Sequence, residues 1–219
     1  LIPALIVMGF VLAILCLDIA RPKNLGTGAA YLALIGTAAS LIASVLLWGQ
    51  QQYGLGGMLF LDNFALFFNV IFLIGTGLTI FISTGYLQRE ENSRAEYYLL
   101  LLTATLGMML MAAGADLIVI FLGLELMSIS LYILVGFLRG RLISNEASLK
   151  YLLLGAFATG FLLYGISLIY GALGTTNLRE IELVLVQGRV NSDLMLQAGL
   201  GLLIVGFAFK VSAVPFHMW

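Results

Sequence analysis

Seven apolar runs, most of them close to twenty residues long, set what this chain can fold into. About twenty such residues carry a helix across the hydrocarbon core of a bilayer. The runs fall at about Leu1–Leu17, Ala29–Trp48, Phe64–Leu87, Tyr97–Ala113, Leu117–Leu138, Ala147–Leu173 and Leu194–Val214. The expected fold is all-α: a polytopic transmembrane helical bundle of about seven spans. Only Gly114, Ala115 and Asp116 separate the fourth and fifth runs, which predicts a tight antiparallel hairpin. Composition agrees, because 10% of the residues are charged where a soluble domain carries about 25%. The mean hydropathy is +1.10. A net charge of −1 implies no nucleic-acid partner.

Loop charges suggest an orientation. Arg21 and Lys23 follow the first span, Arg89 and Arg94 the third, and Arg139 and Arg141 the fifth, whereas the second and fourth connections hold no Lys or Arg. The positive-inside rule then faces the N-terminus outward. The sixth loop carries Arg179 and Arg189, balanced by Glu180, Glu182 and Asp193. Its segment TTNLREIELVLVQG repeats apolar residues at helical spacing and predicts a short interfacial helix. GQQQYGLGGMLFLD, between spans two and three, suits a small hairpin or turn. Leu1 is not Met, and no basic region or small-residue cleavage site precedes the first run, so that run does not read as a signal peptide. The chain reads as a fragment clipped at both ends.

Two charges stand in mid-span. Glu125 lies inside GADLIVIFLGLELMSISLYILVGF, and Lys210 inside LMLQAGLGLLIVGFAFKVSAVPF. A charge at that depth costs ~2.5–3.5 kcal/mol or more, and the opposite charge is the natural compensation. Burial and a neighbouring charge act oppositely on a group's proton affinity. An acid and an amine at that depth are therefore tunable for proton exchange, and together they read as an ion or proton pathway. Glu125 sits roughly 14 Å into its span, and Lys210 lies roughly 6 Å deeper, at 1.5 Å per residue. Pro215 follows Lys210 by five residues and leaves a helix carbonyl without its N–H partner. Broken helices of this kind mark ion sites in transporters, so span seven is expected to be interrupted near Val211–Pro215. The plainer alternatives are a structural carboxyl bonded to Ser128 or Ser130, and a lysine snorkelling to the surface.

Other candidates are weaker. Lys150 follows Glu146 at i,i+4, the favourable order for a surface ion pair, and is also a candidate relay. His217, next but one after Pro215, suits a proton relay near neutral pH or plain packing. Asp62 and Asp116 stand where helices start and read as N-caps. Cys16 reads as a buried small side chain. The span glycines, among them Gly155, Gly160, Gly165, Gly199, Gly201 and Gly206, read as close-packing positions. One Cys and one His supply neither the thiolates of an iron–sulfur cluster nor the imidazole pair of a bis-His haem.

FLGLELMSISLYILVGF, SNEASLKYLLLGAFATGFLLYGISLIYGALGTTNL and GFAFKVSAVPFHMW, in that order, resemble the antiporter-like membrane-arm subunits of respiratory complex I. Within that family the likeness is to subunit N of bacterial NADH–quinone oxidoreductase, called subunit 2 in organelles. It covers about Ala95–Trp219 well and residues 1–94 in span pattern. The resemblance implies an inverted-repeat fold of which this chain holds the start: a three-helix segment over 1–96 and the first, truncated part of a proton-translocation repeat over 97–219. It implies that Glu125 pairs with Lys210 of a broken helix, that Lys150 belongs to the same proton path, and that the chain is part of a translocase. It implies no cofactor in this chain; NADH, flavin, iron–sulfur clusters and quinone are expected in partner subunits. The partners implied are other membrane-arm subunits and the lipid bilayer, in a bacterial inner membrane. A cation/proton antiporter of the Mrp type and a non-conducting membrane scaffold remain as alternatives.

Overall fold

A computed structural model describes residues 1–20, 26–90, 94–190 and 192–216. Its helices are α1 (Ile2–Ala20), α2 (Gly26–Leu46), α3 (Asn63–Arg89), α4 (Ala95–Ala112), α5 (Leu117–Val135), α6 (Leu142–Leu173), α7 (Leu178–Val186) and α8 (Asp193–Lys210). Among the described residues seven of these, all but α7, are long and apolar enough to cross a membrane. Large apolar side chains point away from the bundle along them: Phe81 is 76% exposed, Phe157 71% and Ile204 68%. In water such a surface would be untenable; in hydrocarbon it is the required exterior. The chain is an integral membrane protein.

Local sequence sets the helix ends. Asp62 caps α3 by accepting from Ala65 N at 2.9 Å, and Asp116 caps α5 by accepting from Ile118 N at 2.8 Å. Asn177 caps α7, and Ser192 caps α8. Gly174 closes α6 at φ +79°, a left-handed position that suits a residue without Cβ.

Among the described residues there are three packing cores, the smallest of them formed by Leu59, Leu61, Ala65, Leu66, Ala113 and Val119 beside the hairpin. α1 to α4 bury Val7, Ile14, Leu73, Ile80, Tyr98 and Leu102. α5, α6 and α8 bury Leu124, Leu162, Ile166, Ile169 and Leu203. Lipid tails are as apolar as Leu, so close packing rather than the hydrophobic effect holds such helices together. Glycines supply the closeness. A Cβ on Gly107 would strike the α5 backbone at Gly123 and Met127, and one on Gly165 would strike α8 at Gly199 and Leu203. Gly160 and Gly201 face open space, so they are not close-packing positions within this chain.

One end of the bundle is stitched by short polar segments. β1 (Gln52–Gly54) and β2 (Leu59–Leu61) form an antiparallel hairpin. The hairpin reaches the α4–α5 turn through Phe60 N to Ala113 O, 2.7 Å, and Ala115 N to Met58 O, 2.9 Å. That turn in turn reaches the α6–α7 loop through Leu117 N to Thr176 O and Leu178 N to Ala115 O, both 2.9 Å. Thr176 also donates to Asp116 at 2.9 Å. The hairpin, the tight α4–α5 turn and the amphipathic α7 thus lie where the sequence predicts them.

The differences lie mostly at boundaries. α6 begins at Leu142, earlier than the expected Ala147, because Ser144 and Ser148 bond to carbonyls of Val135 and Tyr132 and tie its polar first turns to α5. α8 stops at Lys210, short of Val214. Cys16 is exposed on α1, not buried; thiols suit a lipid-facing surface as well as a core. Arg21 and Lys23 lie outside the described residues.

Candidate functional site

Glu125, Ser128 and Tyr132 occupy positions i, i+3 and i+7 of α5, one helix face. α8 ends beside this face. Its last residue, Lys210, donates from Nζ to Ser128 Oγ at 2.9 Å and to Tyr132 Oη at 3.2 Å. The same Nζ lies 3.9 Å from Glu125 Oε1. The Lys210 side chain is 11% exposed and that of Glu125 21%. Thr159 of α6 completes the group by donating to Glu125 Oε1 at 2.7 Å.

These distances account for two charges at this depth. Unit charges about 4 Å apart attract by about 4 kcal/mol at an effective dielectric near 20, against ~2.5–3.5 kcal/mol or more for each charge inserted alone. The ion pair offsets part of that cost, and the hydroxyls of Ser128, Tyr132 and Thr159 solvate the two groups in place of water. The Tyr132 ring adds a cation–π contact, its centroid 5.7 Å from Nζ, inside the ~6 Å range of that interaction. Tyr132 is itself held edge-on by Tyr151, centroids 4.6 Å apart.

The helix that carries Lys210 ends at this residue. α8 closes at Lys210, Ser212 turns left-handed at φ +53°, and Val211 N and Ala213 N bond back to Phe207 O and Ala208 O. The expected interruption near Val211–Pro215 is therefore present. The Lys210 side chain carries its amine to the face of α5 that holds Glu125, Ser128 and Tyr132.

Other expected residues go elsewhere. Lys150 pairs with Glu146 at 2.5 Å, both about two-thirds exposed, and does not join the cluster. Ser130 donates to Leu126 O, not to Glu125. His217 lies outside the described residues. Among the described residues no group of three or more His, Cys, Asp or Glu stands together as a metal site. Tyr132 and Thr159 were not expected. Tyr132 was legible, being seven residues from Glu125 on one helical face. Thr159 sits on another helix, and no spacing announces it.

Relatives carry the same fold. Residues 114–219 match the family described as NADH:quinone oxidoreductase/Mrp antiporter, TM. Over 217 residues the chain is 48% identical to NADH-quinone oxidoreductase subunit N of Trichlorobacter lovleyi, covering 99% of this chain and 45% of that protein. It superimposes on a chain of respiratory complex I from Thermus thermophilus, solved with bound aureothin, at TM-score 0.81 and 34% identity, covering 99% of this chain and 45% of that one. A chain of the Mrp complex from Dietzia sp. shares the fold at TM-score 0.77 and 21% identity, with 99% of this chain and 42% of that one covered. The chain thus spans a little under half the length of the relatives it matches. In its ordered motifs, its seven apolar helices and these likenesses, the chain is similar to the antiporter-like membrane-arm subunits of respiratory complex I.

Proposed function

We propose that this chain moves protons across the membrane as part of a subunit of proton-pumping NADH–quinone oxidoreductase, using Glu125 and Lys210. The observation that carries the reading is an acid and an amine 3.9 Å apart within the bundle, the acid accepting from Thr159 at 2.7 Å and the amine donating to Ser128 and Tyr132 at 2.9 and 3.2 Å. Ionised Glu125 stabilises the Lys210 ammonium and keeps the proton there. When the pair loosens, burial favours the neutral amine and the proton moves on. Ser128 and Tyr132 accept hydrogen bonds from the amine, and each takes its proton only by releasing its own hydroxyl proton to the next acceptor in the path. Lys150, with Glu146, is the proposed relay toward the arginine-bearing end of the bundle.

In this reading the chain is a translocase component without a redox centre of its own. NADH, flavin, iron–sulfur clusters and quinone belong to partner subunits, and other membrane-arm subunits are its neighbours. The membrane is the bacterial inner membrane, with the N-terminus outward. Residues 1–96 form a supporting segment, and 97–219 the first part of the translocation repeat. The experiment is Glu125→Gln in the assembled complex, with proton uptake by vesicles measured beside NADH oxidation. Both are expected to fall together. Wild-type pumping by a fully assembled variant would return Glu125 to a structural carboxyl.

A further inference from the structure

Glu125 and Lys210 are close without touching. A direct ammonium–carboxylate hydrogen bond spans about 2.7–2.9 Å; here the gap is 3.9 Å. The atoms nearest to Nζ are neutral hydroxyls, Ser128 Oγ at 2.9 Å and Tyr132 Oη at 3.2 Å. The oxygen of Glu125 that faces the lysine is the one already engaged by Thr159 Oγ1 at 2.7 Å.

Thr159 has a second acceptor within reach. Its Oγ1 lies 3.0 Å from Gly155 O, four residues back on its own helix. That carbonyl is the ordinary partner of a mid-helix threonine. Thr79, Thr84, Thr103 and Thr105 all take it, at 2.8–2.9 Å. A hydroxyl has one proton to donate, so the bond to the carboxylate and a full bond to Gly155 O alternate. The ionisable groups around the cluster are Glu125 and Tyr132 from α5, Tyr151 from α6 and Lys210 from α8.

We propose that Thr159 is a positioning residue that holds the Glu125 carboxylate off Lys210, so that the lysine rests on Ser128 and Tyr132, and that turning the Thr159 hydroxyl to the Gly155 carbonyl lets the ion pair close. The inference rests on the proton-transfer reading above. It gives the pair two states without a large helix movement: an open state with the ammonium on hydroxyls, and a closed state with the ammonium on the carboxylate. Loss of the Thr159 proton leaves the closed state favoured and the proton held.

The test uses the assembled oxidoreductase in membrane vesicles, with the full-length subunit. Thr159→Val keeps the side-chain shape and removes the donor. Thr159→Ser keeps the donor and removes a methyl. Thr159→Ala is a second donor-free variant in case the valine hinders assembly. Proton uptake and NADH oxidation should fall about tenfold without the donor and stay within about twofold in Thr159→Ser, as fits a hydrogen bond to a charged group. In difference infrared spectra, the carboxyl band that Glu125→Gln removes should shift in Thr159→Val and hold its place in Thr159→Ser. Wild-type rates in Thr159→Val, equal losses in Val and Ser, or an unmoved band would overturn the role of Thr159. If Glu125→Gln itself pumps normally, the proton-transfer reading fails instead. If Glu125→Gln stops pumping and Thr159→Val does not slow it, only the role of Thr159 fails.

Discussion

The phenol oxygen of Tyr132 occupies the space that a Cβ on Gly155 would need. The absent side chain at Gly155 lets Tyr132 lie against α6, where its hydroxyl accepts from Lys210 at 3.2 Å. The two residues act as one fitting, and changing either moves the lysine.

Gly155→Ala should therefore displace the tyrosine and lower turnover several-fold. Tyr132→Phe keeps the ring against Tyr151 and should assemble normally, yet it removes one of the two hydroxyls that seat Lys210. It should slow proton uptake while leaving the thermal midpoint of the complex within a few degrees. Gly160→Ala is the control, since nothing stands near that position. Normal turnover in Gly155→Ala would mean that the tyrosine hydroxyl has no part in holding Lys210.

Lys210→Arg tests the amine itself. Guanidinium keeps its proton at any accessible pH, and lysine does not when buried. Arginine retains the positive charge and has donors enough for Ser128, Tyr132 and Glu125, so assembly should persist. Proton uptake and NADH oxidation should both drop at least about tenfold, the factor that a barrier raised by ~1.4 kcal/mol gives. Full activity would show that charge alone, not proton exchange, is required at this position.

Much of this was legible in the residues. Seven apolar runs gave seven spanning helices because length and hydropathy decide a span before any tertiary contact does. Asp62 and Asp116 announced helix starts because a side-chain acceptor satisfies the free first-turn N–H groups. Glu125 and Lys210 stood out because a charge in lipid needs a partner. What stayed hidden depends on which helix faces which. The engagement of Thr159 with Glu125, a contact across 34 positions, follows from the packing of α6 on α5. Ser128 was weighed as a partner for the acid, and it serves the base instead. Cys16 and Gly160 face outward although their sequence context does not say so, because an apolar helix in lipid has no polar face to mark its outside.

The α4–α5 contact gives a stability prediction. A Cβ on Gly123 would press on Gly107 O and Met111 N, backbone atoms that a rotamer change does not relieve. Gly123→Ala should cost ~1–3 kcal/mol, the usual penalty of overpacking. It stands two residues from Glu125 and turns toward α4, so its effect should fall on assembly rather than on turnover per assembled complex. The check is the amount of assembled complex on native gels together with the rate per complex. Normal assembly of Gly123→Ala would show that the two helices have slack.

The orientation is open to a direct test. At one end lie the hairpin, the α4–α5 turn and α7, joined by backbone hydrogen bonds. At the other lie Arg89, Arg94, Arg139 and Arg141, the last bonded to Glu90 at 2.6 Å. Lys and Arg near span ends favour the cytoplasmic side, so the expected outcome is that the hairpin and the start of α1 face outward. Single cysteines at Gln50 and at Arg94, in a background with Cys16→Ser, separate the two faces. A membrane-impermeant thiol reagent added to intact spheroplasts should label Gln50→Cys and leave Arg94→Cys untouched until the membrane is opened. Arg94 is exposed and its carbonyl accepts from Tyr97 N at 3.3 Å, a backbone bond that a cysteine keeps. Labelling of Arg94→Cys in sealed spheroplasts would invert the orientation and reverse the direction in which protons enter the Glu125–Lys210 pair.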